Sequence, residues 1–338
     1  MKKVIACTGY GGTGSSVISD LLKEFGNVKS FGEFEFRFLQ DPGGIRELEF
    51  GILQNNDRLL TSYYISKYIK NINYLSKSKV YNYEKFFNKK FKTISDKYIN
   101  NLVSIKWNGF WHQDIIDANI FCKFFYYSER FFQKNIIKIG EGGSYLYNNI
   151  FKNKMYYVAA NCDFYKLTKN YLTELIMNSD HDNKEFVVFD QLVPASNAES
   201  YINYFDNIKI IIIDRDPRDL YLLNKLFWKE KWIPSDDIDM FIEWYLGLRI
   251  NEVKSPHILR LKFEDFIYNY ESTVLKVCNF TGIDIYHHES KYKYFDPNIS
   301  IKNTNLKEKY NKYIDEVLEI EDKLSKYCYC FERELEIL

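Results

Sequence analysis

Short apolar runs alternate along the chain with stretches in which apolar residues recur every three or four positions. The runs VIACT (4–8), VKSF (28–31), MYYVA (155–159), FVVFD (186–190), IKIIIID (208–214) and HILRL (257–261) read as strands. A helix is predicted over about 15–25, with Val17, Ile18, Leu21, Leu22 and Phe25 on one stripe. Further helical patterns cover 43–54, 163–176, 197–205 and 236–253, and a charged amphipathic helix starts near Leu306. Near-continuous apolar strands separated by helices predict an α/β fold whose central parallel sheet is covered on both faces. The segment from about 54 to 138 breaks this rhythm. It is rich in Tyr, Phe, Asn and Lys, shows no strong strand, and reads as a helical insertion beside the core. No internal repeat or disordered linker is evident, so the 338 residues read as one α/β domain carrying that insertion.

Charge narrows the function classes. Lysine plus arginine is 46 and aspartate plus glutamate is 46, a net charge of zero. A nucleic-acid binder or a polybasic membrane clamp needs a basic excess, so neither is expected. The six cysteines are scattered without metal-ligand spacing, and the Cys328–Cys330 pair has no histidine beside it, so no metal site is expected. The apolar run after Lys2 and Lys3 is too short for a secretion signal, and none spans a membrane. A cytoplasmic protein is the expectation, with peripheral membrane contact left open.

The first candidate chemistry is Gly9-Tyr10-Gly11-Gly12-Thr13-Gly14-Ser15-Ser16, between a strand and a helix. Amides at a helix N-terminus and the helix dipole favour an anion there, and glycines let it approach the backbone. Two motifs fit this string. Gly9, Gly11 and Gly14 satisfy the dinucleotide fingerprint, with Glu33 or Glu35 near where a ribose-binding acid belongs. The phosphate-loop spacing fits too, but Ser15 stands where the lysine belongs, which speaks against ATP chemistry. A ligand-free tight turn is the plain alternative.

The second is the strand 208–214 running into Arg215-Asp216-Pro217-Arg218-Asp219. Two of the chain's nine arginines thus fall at the carboxyl edge of a predicted parallel sheet, where such sheets bind ligands. Pro217 and the flanking aspartates also suit a capped helix start with surface ion pairs.

Together, strand–GxxGTGSS–helix and strand–RDPRDLY–helix resemble the superfamily of sulfotransferases that use 3′-phosphoadenosine 5′-phosphosulfate (PAPS), in its bacterial type. Glu264, Asp265, Phe280 and Gly282 match a later strand–E-D–helix–F-x-G segment, and 296–303 resembles a C-terminal loop near the nucleotide. The resemblance runs to about residue 305 and leaves 54–150 untouched. It implies a P-loop NTPase-like three-layer fold and a loop of Gly11, Gly12, Thr13, Gly14, Ser15 and Ser16 around the 5′-phosphosulfate. It implies Arg215 on the 3′-phosphate, with Arg218, Lys302 and Asn303 as further nucleotide contacts.

Two departures stand out. Gly12 occupies the place of the family's loop lysine or arginine, and Leu223 that of its 3′-phosphate serine. Arg37, Lys106, Lys138 and Lys302 are candidate replacements. The resemblance places the base that takes the acceptor's proton in Gly32-Glu33-Phe34-Glu35-Phe36-Arg37, at Glu33 or Glu35, with Glu33 preferred because it sits closest to the end of the predicted strand. In an extended strand both point one way, with Phe34 and Phe36 opposite; solvated acids on an edge strand are the alternative. His112, beside Trp107 and Trp111, is a further candidate base or a packed histidine. Asp190 and Gln191 end a strand at the same sheet edge.

The expected function is therefore sulfuryl transfer from PAPS to a hydroxyl of a glycan, a lipid-linked precursor or a small metabolite, without a metal. A Rossmann-type NAD(P) oxidoreductase is the alternative from the glycine fingerprint. A degenerate sulfotransferase fold that binds nucleotide without turnover is the alternative from Gly12 and Leu223.

Overall fold

The computed structural model describes residues 2–109, 111–116, 118–137, 154–179 and 182–331, without the side chains of Glu33, His112 and Gln113. In chain order the elements are β1 (Lys3–Gly9), α1 (Ser16–Lys23), β2 (Val28–Glu35), α2 (Ile45–Glu49), α3 (Arg58–Lys77), α4 (Phe91–Leu102), β3 (Ile105–Asn108), α5 (Ile120–Phe132), β4 (Lys154–Tyr157), α6 (Phe164–Met177) and β5 (Phe186–Asp190). They continue as β6 (Ile208–Asp214), α7 (Pro217–Leu223), α8 (Ile238–Gly247), β7 (Ile258–Lys262), α9 (Tyr270–Thr281) and α10 (Ile314–Lys323).

Five strands form one parallel sheet in the order β2-β5-β1-β6-β7. Side-chain alternation builds a core on each face. Ile5, Cys7, Val188, Ile211 and Ile213 meet α1 and α9 on one side. Val4, Ala6, Val187, Phe189, Ile210 and Ile212 meet α3, α4 and α6 on the other. A third cluster joins α7, α8 and α10 beyond the carboxyl edge. Because β5 stands between β1 and β2, the strand after the glycine loop is not the neighbour of β1. The dinucleotide fold needs those two strands side by side, so this topology contradicts the Rossmann alternative.

The segment 54–138 is not merely beside the core. Ile65, Tyr68 and Ile72 of α3 and Phe91, Ile94 and Tyr98 of α4 belong to the apolar layer on the sheet. The segment also holds a strand the sequence pattern hid. β3 pairs antiparallel with β4, from Ile105↔Tyr157 to Asn108↔Lys154. MYYVA is therefore a strand outside the parallel sheet, and β3 escaped notice because all four of its residues are exposed. The expected C-terminal helix is broken into short turns before α10 begins at Ile314.

Candidate functional site

The glycine loop leaves β1 at the carboxyl edge of the sheet and enters α1. Gly11, Gly12 and Gly14 have φ of +88°, +67° and +87°, the left-handed region that side chains disfavour. A Cβ on Gly11 would lie 2.2 Å from the Trp232 ring, and one on Gly14 2.8 Å from Phe263. Thr13 anchors the loop from beneath. It is 1% exposed, its hydroxyl donates to the Ile213 carbonyl at 2.7 Å, and it accepts the Tyr10 N–H at 3.1 Å. The hydroxyl expected to contact a cofactor is thus already used, and Thr13 can offer only its amide. Hydrogen-bonded turns begin with Val17 N–H to Gly14 and Ile18 N–H to Ser15, both at 3.1 Å. Among the described residues, the amides of 12–15 find no backbone acceptor. That is the donor set an anion needs.

The turn after β6 separates the two arginines. Arg215 is 3% exposed, with its guanidinium 4.4 Å from the Phe263 ring centre and 5.7 Å from that of Trp228. Its Nη2 donates to the Asn303 carbonyl at 2.5 Å, while its buried Nε has no partner. The structure thus brings together Arg215 and Asn303, two residues 88 apart that sequence reasoning assigned to one site. Burial lowers the Arg215 pKa. Arg218 is different. Its Nε and Nη2 grip Asp216, its Nη1 donates to Glu321 and its Nη2 to the Tyr329 carbonyl. Four of the five donors of that guanidinium are taken within the fold, which speaks against a nucleotide role. Leu223 packs in the third apolar cluster, so its place offers no ligand contact.

A cleft of about 830 Å³ opens above the loop, lined by Gly11, Gly12, Gly14, Ser15, Ser16, Glu35, Arg37, Asp190, Gln191 and Trp232. Gly32, at φ +65°, and a register shift between Ser30 and Glu35 bend β2. Phe31, Phe34 and Phe36 all pack inward against Phe86, and Glu35 faces the cleft. Arg37 donates to Asp41 at 2.9 Å and stands 3.9 Å from Glu35. Asp190 is 5% exposed; burial, then the Glu35 charge, push its carboxyl up to about 7. Gln191, in the left-handed region at φ +53°, links Thr8 and Ser15 through its side-chain amide.

The other candidates are dispersed. Lys106 lies exposed on β3, and Lys302 exposed on the turn 301–303. Lys138 lies outside the described residues, as do the side chains of Glu33 and His112. Sequence reasoning missed Trp228 and Trp232, which cover the loop and Arg215; two of five tryptophans, five and nine residues beyond the RDPR helix, were the available signal. It also missed Arg249, which pairs with Asp214 and stacks on Tyr10. Among the described residues, no cluster suits a metal ion and no helix is long and apolar enough to cross a membrane.

No family model matches the chain, and no curated protein does. Two solved structures are similar in outline. A sulfotransferase domain from the Synechococcus PCC 7002 olefin synthase has a TM-score of 0.39 and 11% identity, over 88% of this chain and 78% of that one. A sulfotransferase domain from the curacin biosynthetic pathway has a TM-score of 0.36 and 12% identity, over 96% of this chain and 98% of that one. Likeness at that level carries no functional inference.

Proposed function

We propose that the chain is a sulfotransferase that takes a sulfuryl group from PAPS and passes it to a hydroxyl. The observation that carries this is the joining of the two anion-binding turns. Thr13 ties the glycine loop to the end of β6, and the next turn of β6 holds the buried, incompletely satisfied guanidinium of Arg215. A nucleotide with phosphates at both ends of its ribose suits two such turns on adjacent strands.

The residues fit the cofactor at the loop. Its glycines leave no room for a Cβ on the Trp232 side, and among the described residues the amides of 12–15 are without backbone acceptors. Residues 12–16 would hold the 5′-phosphosulfate, and Arg215 the 3′-phosphate. Arg215 lies under Trp228 and against Asn303, so that contact asks Trp228 or the 301–303 turn to give way. PAPS supplies an activated sulfuryl group on a phosphate leaving group. Glu35 would accept the acceptor's proton, a contribution of about a hundredfold to ten-thousandfold. Arg37 lines the same cleft and would supply the cation that Gly12 removes from the loop. Glu33, His112, Lys302 and Asn303 remain parts of the proposal that only substitution can test. A glycan, a lipid-linked precursor or a small metabolite would be the acceptor.

The test is thermal stabilisation by adenosine 3′,5′-bisphosphate, with NAD and ATP in parallel, followed by transfer of label from PAPS to a panel of hydroxyl acceptors. A ligand that binds only the native state raises stability by mass action. Stabilisation by the bisphosphate, with transfer lost in Glu35→Gln but binding kept, is expected. Stabilisation by NAD alone overturns the proposal. Binding without transfer to any acceptor favours the nucleotide-binding, non-catalytic alternative.

A further inference from the structure

Two carboxylates stand as register partners at the carboxyl edge of the sheet. Glu35 on β2 pairs with Asp190 on β5, and both line the cleft of the glycine loop. Their surroundings differ. The Glu35 side chain is 52% exposed with Arg37 near it, whereas Asp190 is almost fully buried. Asp190 Oδ1 accepts the Gln191 N–H at 3.0 Å, and its carboxyl also interacts with the Ser15 hydroxyl of the loop.

Among the described residues, the groups that bear most on Asp190 are acidic or neutral. Glu35 approaches from β2, Asp20 from α1 and Cys7 from β1, while Arg37, on the same cleft, is held by Asp41 and stands near Glu35. A buried carboxylate without a cation is costly, and beside an anion it is costlier still. The acid form avoids both costs, because it is neutral and carries an O–H donor. Burial and the Glu35 charge push the Asp190 pKa up to about 7, and an anion in the loop raises it further.

We propose that Asp190 is a residue of the anion site and works there as a carboxylic acid. When a phosphate or sulfate ester enters the loop, Asp190 takes one proton from solvent and presents an O–H donor, in addition to the cation that Arg37 would supply. The proposal rests on the loop being an anion site, as the proposed function has it, and not on sulfuryl transfer.

Inorganic sulfate is the probe, because its own charge stays constant from about pH 6 to about pH 8.5, so any pH dependence belongs to the protein. Its affinity is read by calorimetry, against chloride at matched ionic strength, in two buffers of different ionisation enthalpy. In the native chain, affinity falls as pH rises past Asp190's pKa, by up to about tenfold per pH unit, with about one proton taken up at the alkaline end. Asp190→Asn, nearly the same in shape and keeping an N–H donor, binds without pH dependence and without proton uptake. Glu35→Gln moves the midpoint to lower pH, since it removes the nearest like charge. Methyl phosphate in a second arm distinguishes a phosphate from a sulfate preference. A flat pH profile in the native chain, an unchanged profile in Asp190→Asn, or no sulfate binding at any pH overturns the proposal. Bisphosphate binding in the same assay judges the transferase separately, and survives a flat sulfate profile.

Discussion

Arg218 lies edge-on to Asp216, its Nε 2.9 Å from Oδ1 and its Nη2 2.6 Å from Oδ2, with both side chains buried. Asp216 also caps α7 by accepting the Arg218 N–H and takes the Tyr329 N–H, so the pair bolts the C-terminal segment to the β6 turn. Arg218→Ala leaves Asp216 buried without its cation, and a loss of about 3–5 kcal/mol of unfolding free energy is expected. Denaturant unfolding measures it, with Arg218→Lys as the milder variant. Bisphosphate affinity, read where the variant is folded, should be unchanged; a stable variant that binds poorly would return Arg218 to the site.

Arg215 has the opposite balance. Its Nε is buried without an acceptor and, among the described residues, its guanidinium donates one hydrogen bond, to the backbone carbonyl of Asn303. A charge-assisted contact to phosphate is worth about 1.5–3 kcal/mol. Arg215→Ala should therefore weaken adenosine 3′,5′-bisphosphate by about tenfold to about a hundredfold, while sulfate at the glycine loop changes by less than about twofold. Equal losses for both ligands would mean that Arg215 supports the loop and does not read the second phosphate.

What the sequence disclosed about these two arginines, and what it did not, follows from the range of the forces involved. The β6 strand and the RDPR turn are local, and so was their placement at the sheet edge. The division of labour between Arg215 and Arg218 was not local, because Asn303, Glu321 and Tyr329 come from about 90 to 110 residues further on. The same holds at the loop. Its glycines announced a close approach to the backbone, but Thr13's role depends on Ile213, 200 residues away. The five strands of the parallel sheet were legible from burial on both faces. The β3–β4 ribbon was not, because an exposed four-residue strand carries no apolar period. The bend at Gly32 hid the fact that Phe31 shares a face with Phe34 and Phe36, which strict alternation forbids.

Gly11 supplies a steric prediction. Its φ of +88° costs a side chain about 1–2 kcal/mol, and a Cβ there also meets the Trp232 ring. Gly11→Ala should lower stability and abolish measurable sulfate binding. Adding Trp232→Ala removes the ring contact but not the backbone strain, so it should restore only part of the stability. Full restoration by the second change would show that the loop conformation does not depend on glycine here.

Three buried carboxyls give the fold a pH dependence whose sign can be worked out. Burial and the Asp216 charge push Glu264 up to about 8, burial and Glu35 push Asp190 to about 7, and burial and Asp216 push Asp219 to about 6. A carboxyl raised above its unfolded value binds more protons in the folded chain, so its contribution is greatest below the unfolded pKa and declines as pH climbs to the folded one. The window therefore runs from roughly pH 4 to about pH 8, with Glu264 dominating its upper end. Each group contributes a slope of about 1.4 kcal/mol per pH unit across its own window, as an upper figure. Thermal unfolding should show the midpoint falling between about pH 6 and about pH 8. Glu264→Gln keeps an acceptor for the Asp216 N–H, which Glu264 now takes at 3.0 Å, and removes the titration. Its profile should be flatter above about pH 6 than that of the native chain. A native midpoint that rises over this range, or a variant with the same slope, would mean that the cations around the cluster hold Glu264 ionised despite its burial.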